Sequence, residues 1–170
     1  TNVVGVFNLL EAVKAFGTAE SFVQVSTDEV YGSLKFGSAT EEYPLLPNSP
    51  YAASKAASDL IARSYYITHG LDIRITRCCN NFGPNQYPEK FIPVLIKAGL
   101  NGGKFPIYGD GLNVREWIYV KDHCKAIQTV IDKGSPGNTY NIGSGLHLTN
   151  LELANKIIEI LGLHVDAIQF

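Results

Sequence analysis

A phenol and an ammonium on one helix face can manage a proton between them, and this chain has such a pair in Tyr51 and Lys55. They stand four apart at the start of a helical pattern, a spacing that puts both side chains on one face. A Lys⁺ close to a phenol favours the phenolate and lowers its pKa, which makes tyrosine a usable base near neutral pH. Earlier in the chain comes Ser26-Thr27-Asp28-Glu29-Val30-Tyr31-Gly32. Here a hydroxyl and two carboxylates end an apolar run, which sets polar chemistry at the edge of a sheet. Alone, a Tyr-x-x-x-Lys is usually a surface helix pair and a Thr-Asp-Glu a turn or a helix start. Their order in the chain joins them: strand, polar triplet, loop, then a helix opening on Tyr51.

The elements that must position these groups are legible from periodicity. Val3, Val6, Phe7, Leu10, Val13 and Ala15 recur at helical spacing over Asn2–Phe16, which predicts a helix beginning at or before Thr1 and stopping at Gly17. A strand follows over 21–26, then a loop over 27–50 rich in Gly, Ser and Pro. That length favours a functional loop over an idle linker. The helix Tyr51–His69 runs to Gly70, and Asp72–Cys78 alternates as the next strand. Asn80–Glu89 reads as loop, and Phe91–Leu100 as a helix that tolerates Pro93 only in its first turn. Short strands are expected at Phe105–Tyr108 and Val114–Tyr119, a helix at Val120–Asp132 and a strand at Thr139–Ile142. A last helix, Thr149–Leu161, opens on the capping box Thr149-x-x-Glu152. Strands alternating with helices predict an α/β protein with a mostly parallel sheet.

Composition excludes several classes. The 170 residues suffice for a domain with its own core, with 45% hydrophobic and 18% charged residues. A formal net charge of −2 gives no electrostatic reason to expect nucleic acid or an anionic membrane. No apolar run approaches the ~18 residues of a membrane helix. Cys78, Cys79 and Cys124 form no disulfide framework, suit a reducing compartment, and are all expected as small buried apolar side chains. The four histidines lack metal-ligand spacing, so no metal is expected.

A dinucleotide-binding fold opens with a strand, a glycine-rich turn and a helix N-terminus that takes the phosphates. Gly143-Ser144-Gly145 has no third glycine, and Gly109-Asp110-Gly111 leads into a strand, so neither is a phosphate loop. The expectation is the middle and later part of a longer chain.

The motifs together resemble the extended short-chain dehydrogenase/reductase family and, within it, the dTDP-glucose 4,6-dehydratases. The likeness runs from Thr1-Asn2-Val3-Val4-Gly5 through Ser26–Gly32, Tyr51–Lys55, Arg77–Pro84, Tyr87-Pro88-Glu89-Lys90, Pro106–Gly109, Arg115–Val120 and Tyr140–Gly143. It implies a partial Rossmann-type, doubly wound parallel sheet with part of a small C-terminal substrate-binding region. Residues 1–142 would be the later part of the NAD-binding domain, with 79–115 contributing to the substrate region and 143–170 beginning the C-terminal region. It further implies NAD-dependent conversion of dTDP-glucose to dTDP-4-keto-6-deoxyglucose. In that reaction Tyr51 takes the C4 hydroxyl proton as hydride passes to NAD⁺, Lys55 holds the nicotinamide ribose, and Thr27 bonds the same hydroxyl. Glu29 removes the C5 proton, protonated Asp28 assists the departing C6 hydroxyl, and hydride returns to C6. Opposite duties require the two carboxyl pKa values to be pushed apart, and an extended segment would face Asp28 and Glu29 to different sides.

The resemblance also carries Thr1, Ser54 and Asn81 to the cofactor, and Asn80, Lys90, Phe91, Pro106, Ile107, Tyr108, Arg115 and Asn150 to the sugar nucleotide. Arg115 as a planar fork and Lys90 as a point charge suit a diphosphate. Cys79 and Phe82 stand where relatives often carry Ser and Tyr; neither change removes a catalytic group. A related epimerase, decarboxylase or GDP-mannose dehydratase would share Tyr51 and Lys55 but generally lack the acid and base at 28 and 29. A non-catalytic protein on the same fold is the other alternative. The family implies a cytoplasmic homodimer paired through helices 2–16 and 51–69. The 170 residues alone are expected to bind NAD poorly.

Overall fold

The computed structural model describes residues 1–34 and 37–170. In chain order the strands are β1 (Phe22–Thr27), β2 (Ile73–Cys78), β3 (Asn80–Phe82), β4 (Phe105–Pro106), β5 (Val114–Tyr119), β6 (Thr139–Ile142), β7 (His147–Thr149) and β8 (Ile168–Gln169). The helices are α1 (Val4–Phe16), α2 (Pro50–His69), α3 (Phe91–Leu100), α4 (Val120–Lys133) and α5 (Asn150–Leu161). Single 3₁₀ turns occupy Asp28–Tyr31 and Val165–Ala167. The chain divides into two compact units, residues 1–79 with 122–142, and residues 80–121 with 143–170.

In the first unit β1, β2 and β6 make a parallel sheet in that order, with Thr27 opposite Cys78 and Cys78 opposite Ile142 at its C-terminal edge. β2, in the middle, is buried at every residue but Arg74. The expected alternation is therefore replaced by the near-continuous burial of a parallel strand covered on both faces. Helix α2 packs on β1, β2 and α1. Ala52, Ala56 and Ala62 on its buried face let it lie close. Leu10, Ala62, Tyr65, Ile73 and Ile75 form the core beneath it. Its start is fixed by Ser49, whose Oγ accepts from the Ala52 amide at 3.1 Å, and by Pro50 in the first turn.

In the second unit β3 runs parallel to β5, and β7 pairs antiparallel on β5's other side. The pair β4 and β8 stands separately. Leu95, Phe105, Ile107, Trp117, Leu153, Ala154, Ile157 and Ile158 form one core. The capping box opens α5: Thr149 Oγ1 accepts from the Glu152 amide at 3.0 Å, and the Glu152 carboxylate accepts from the Thr149 amide at 2.8 Å.

Several boundaries move. Helix α1 begins at Val4 and residues 2 and 3 are turn, although the Thr1 carbonyl already accepts from the Gly5 amide at 2.8 Å. The first strand extends to Thr27, and the loop after it opens as a 3₁₀ turn. The expected strand at Phe105–Tyr108 stops at Pro106. Strands β3, β7 and β8 went unrecognised because runs of two or three residues carry no periodicity. Cys78 and Cys79 are buried as expected, whereas Cys124 is exposed, since it lies on the solvent side of amphipathic α4.

Candidate active site

At the C-terminal edge of the parallel sheet, where ligands bind in open α/β folds, β1 delivers Thr27 into the turn Asp28–Tyr31. Thr27 caps that turn: its Oγ1 accepts from the Glu29 amide at 3.3 Å and donates to Asp28 Oδ1 at 3.2 Å. The triplet is therefore not extended. Successive residues of a 3₁₀ turn point about 120° apart, and this, rather than strand alternation, separates the Asp28 and Glu29 side chains. Asp28 is half-buried and Glu29 exposed.

Below the turn, Val30 is fully buried and packs with Tyr31 and Ala56 against Ala39 and Leu45. Gly32 closes the turn with φ 78°, and a Cβ there would lie 2.1 Å from the Leu46 carbonyl oxygen. Only glycine meets both demands.

Helix α2 brings Tyr51 to the same place. Tyr51 as a residue is 52% exposed, and the pKa of its phenol is raised above the ordinary 10.0, first by burial and then by the fields of Glu29, Cys78 and Asp28. Tyr51 therefore shares one electrostatic neighbourhood with both carboxylates of the triplet. The direction overturns the expectation that Lys55 lowers this pKa. The Lys55 ammonium instead donates to the Val25 carbonyl of β1 at 2.5 Å. With that bond made, the shift is set by burial and by the negative charges around the phenol. Ser54 Oγ donates to the Tyr51 carbonyl at 2.7 Å and accepts from Asn2 Nδ2 at 3.0 Å, tying the residues after Thr1 to the first turn of α2. Thr1 itself is exposed.

The second unit holds the remaining expected residues. Asn80 and Asn81 lie in β3 opposite Trp117 and Ile118, and Asn81's carbonyl accepts from Gln86 Nε2 at 2.9 Å. Lys90, exposed, immediately precedes α3, and Phe91 packs on the core. Ile107 is 3% exposed within that core, so its side chain faces away from any ligand, while Tyr108 beside it is 84% exposed. The loop they begin is sewn to α5: Gly111 and Asn113 carbonyls accept from the Leu151 and Asn150 amides at 3.0 and 3.1 Å. Pro106, Tyr108, Arg115 and Asn150 thereby belong to one contiguous region, with Arg115 exposed in β5 opposite Leu148.

Gly143-Ser144-Gly145 makes an anion cradle whose occupant is internal. The amides of Ser144 and Gly145 donate to Glu116 Oε1 at 2.6 and 2.7 Å, and a Cβ on Gly143 would lie 2.4 Å from that oxygen. Glu116 was not singled out in the sequence, nor was a buried group in the first unit. There Arg77 donates to Asp59 Oδ2 at 3.0 Å and to the Tyr31 hydroxyl at 2.9 Å, and Tyr31 donates to Asn141 Oδ1 at 2.7 Å. The one available signal was an arginine at a buried position of a central strand, Arg77 in Ile73–Cys78.

This parallel sheet, with Tyr51 and Lys55 on the helix that begins at its C-terminal edge, is a Rossmann-type α/β architecture with a dehydrogenase-like Tyr/Lys pair. The chain belongs to the family described as GDP-mannose 4,6 dehydratase, whose model matches residues 1–168. Among individual proteins it is 53% identical over 170 residues to a dTDP-glucose 4,6-dehydratase of Streptomyces griseus, covering 100% of this chain and 52% of that one. It also superimposes on the dTDP-glucose 4,6-dehydratase of Bacillus anthracis, solved in complex with NAD, with TM-score 0.96 and 54% identity over 99% of this chain and 54% of the other. A dTDP-glucose 4,6-dehydratase from Streptomyces venezuelae, also with NAD bound, gives TM-score 0.97 and 54% identity over 99% and 52% of the two chains. The α/β, partly Rossmann-type architecture is thus that of these enzymes. The chain spans about half the length of the curated relatives it matches.

Proposed function

We propose that the protein carrying this chain is an NAD-dependent dTDP-glucose 4,6-dehydratase. The observation that carries the reading is the placement of the Thr27-Asp28-Glu29 turn within the electrostatic reach of the Tyr51 phenol. An epimerase needs the phenol and the lysine but has no use for an added acid and base. The similarity to proteins named for this reaction supports the same conclusion.

The residues at the sheet's C-terminal edge suit the nicotinamide end of the cofactor: a phenol, a hydroxyl and an ammonium lie on one face of α2 at Tyr51, Ser54 and Lys55. Thr1 and Asn81 are assigned to it as well. NAD, when bound, supplies reversible two-electron oxidation of the sugar. Tyr51 accepts the C4 hydroxyl proton while Thr27 bonds that hydroxyl. Lys55, reaching from α2 to β1, sits where its charge can turn toward a ribose and the phenolate. Glu29, exposed, removes the C5 proton that the new ketone acidifies. Asp28, half-buried and bonded by Thr27, delivers the proton that leaves with the C6 hydroxyl as water. Residues 1–142 are assigned to cofactor handling, and 79–115 with 143–170 to the sugar nucleotide. There Arg115 and Lys90 are assigned to the diphosphate, and Asn80, Phe91, Pro106, Tyr108, Asn150 and the backbone of Ile107, whose side chain is in the core, to the rest.

The test is to supply the full-length protein with NAD and dTDP-glucose and follow the 4-keto-6-deoxy product. Asp28→Asn and Glu29→Gln are expected to oxidise C4 yet lose water slowly. A wild type that forms no such product refutes the reading. Water loss at the parental rate in either variant refutes that residue's role.

The protein is further assigned to the cytoplasm, which its free thiols suit, and to a homodimer. Phe7, Leu9 and Phe16 of α1 and Leu60 and Ile67 of α2 are exposed apolar residues on two helices that pack side by side. Sedimentation of the full-length protein decides: a monomer at micromolar concentration refutes the dimer.

A further inference from the structure

We propose that Tyr31 is a positioning residue: its hydroxyl, held between Arg77 and Asn141, fixes the turn that carries Asp28 and Glu29 in the orientation that removal of water requires, while Thr27, the last residue of β1, is placed by the sheet itself. The proposal deepens the dehydratase reading and rests on it.

Tyr31 is the last residue of the 3₁₀ turn whose first is Asp28. The turn's start is tied locally, by the Thr27 cap, and its end by the Gly32 amide donating to the Glu29 carbonyl at 3.1 Å. Those bonds set its shape, and the buried Val30 side chain and the Leu46 amide donating to the Val30 carbonyl at 3.0 Å seat it on α2 and the following loop, but none of them ties it to β2 or β6. Tyr31 supplies the direction. Its hydroxyl accepts from Arg77 Nη1 of β2 at 2.9 Å and donates to Asn141 Oδ1 of β6 at 2.7 Å, so one oxygen ties the turn to two strands. Its ring lies 4.9 Å under the Arg77 guanidinium. Arg77 is anchored behind by Asp59 of α2 at 3.0 Å, both side chains being almost wholly buried. Asn141 is anchored in turn: its side-chain amide donates to the Ala39 carbonyl at 3.0 Å, and its backbone amide to Glu41 Oε1 at 2.9 Å.

A buried ion pair is a poor way to gain stability, since apolar side chains of the same volume often serve as well or better. What it offers here is direction. The guanidinium aims its donors at Asp59, Tyr31 and the Glu41 carbonyl, which apolar packing cannot reproduce. The same α2 that anchors Arg77 through Asp59 carries Tyr51 at its start. The network therefore registers the acid and base against the phenol through a single rigid frame.

The experiment uses the full-length protein with Tyr31→Phe, which keeps the ring beneath Arg77 and deletes only the hydroxyl. Amide hydrogen exchange over residues 28–32 is expected to accelerate. C5 proton exchange and water loss are expected to slow on the order of 10- to 100-fold, the cost of misplacing a reacting group by about 1 Å. KM for the sugar nucleotide and the rate of C4 oxidation are expected to stay within about twofold. Unchanged turn exchange, or unchanged water loss, overturns the proposal. So does an equal loss in both steps, which a merely structural role would give. Should Tyr31→Phe not fold, Asn141→Ala removes the same oxygen's acceptor and is judged by the same outcomes. A wild type that makes no 4-keto product overturns this proposal together with the reading beneath it. A productive wild type with an unaffected Tyr31→Phe overturns this proposal alone.

Discussion

The Glu29 carboxylate raises the pKa of the Tyr51 phenol, an effect second only to the phenol's own burial. Under the proposed dehydratase reading, a base and an acid-base pair set close together must accept this mutual cost. Burial and these neighbouring negative charges all disfavour the phenolate.

Replacing Glu29 by Gln removes a like charge from beside the phenol, so its pKa falls. The rising limb of the pH profile for C4 oxidation is then expected to move to lower pH, even as water loss slows. Stopped-flow absorbance of reduced cofactor across the alkaline range measures this. A limb that stays in place or moves to higher pH contradicts the geometry.

The pair Arg77 and Asp59 has the next consequence. Arg77→Met leaves a buried carboxylate without its partner and is expected to destabilise the protein by about 3–5 kcal/mol. Adding Asp59→Leu removes the stranded charge and is expected to restore most of that loss. Urea denaturation of the two singles and the double gives the coupling. Additive losses contradict it.

Glu116 is expected to matter through Ser144 and Gly145. Glu116→Ala strips the acceptor from two backbone amides, at a cost of about 1–3 kcal/mol, and loosens β5, which carries Arg115. Glu116→Gln keeps a carbonyl oxygen there and is expected to lose less. Denaturant midpoints, with affinity for thymidine diphosphate as the second readout, check both.

His123 sets an acid limit. It is buried, with Nδ1 at 3.7 Å from Cys78 Sγ, and burial holds its pKa below the ordinary 6.5. Below that ordinary value the unfolded chain binds a proton that the folded chain resists. The stability due to the neutral imidazole is therefore complete above 6.5 and is lost as pH falls toward the folded value. His123→Asn is expected to flatten this part of the stability curve, although lowering the plateau. An acid limb of unchanged slope contradicts it.

Much of this molecule is written locally. The capping box at Thr149 and Glu152, the stop at Gly70, the run Phe91–Leu100 and the apolar strand ending in Thr27 each follow from a few adjacent residues obeying short-range sterics and hydrogen bonding. The candidate site residues were legible for a related reason: Tyr51 with Lys55, and Thr27 with Asp28 and Glu29, are chemical groups whose type and spacing survive in one dimension. Tertiary structure decided what depends on distance through space. The upward direction of the Tyr51 pKa shift came first from burial and then from Glu29, Cys78 and Asp28, groups remote in sequence and near in the fold. The partner of Lys55 proved to be a β1 carbonyl, and the glycines at 143 and 145 proved to frame Glu116. Tyr31 could be named from the sequence but not understood from it, because its role comes from Arg77 and Asn141 meeting at one oxygen. Fields and buried hydrogen bonds depend on where strands are laid side by side, and periodicity along the chain does not encode that.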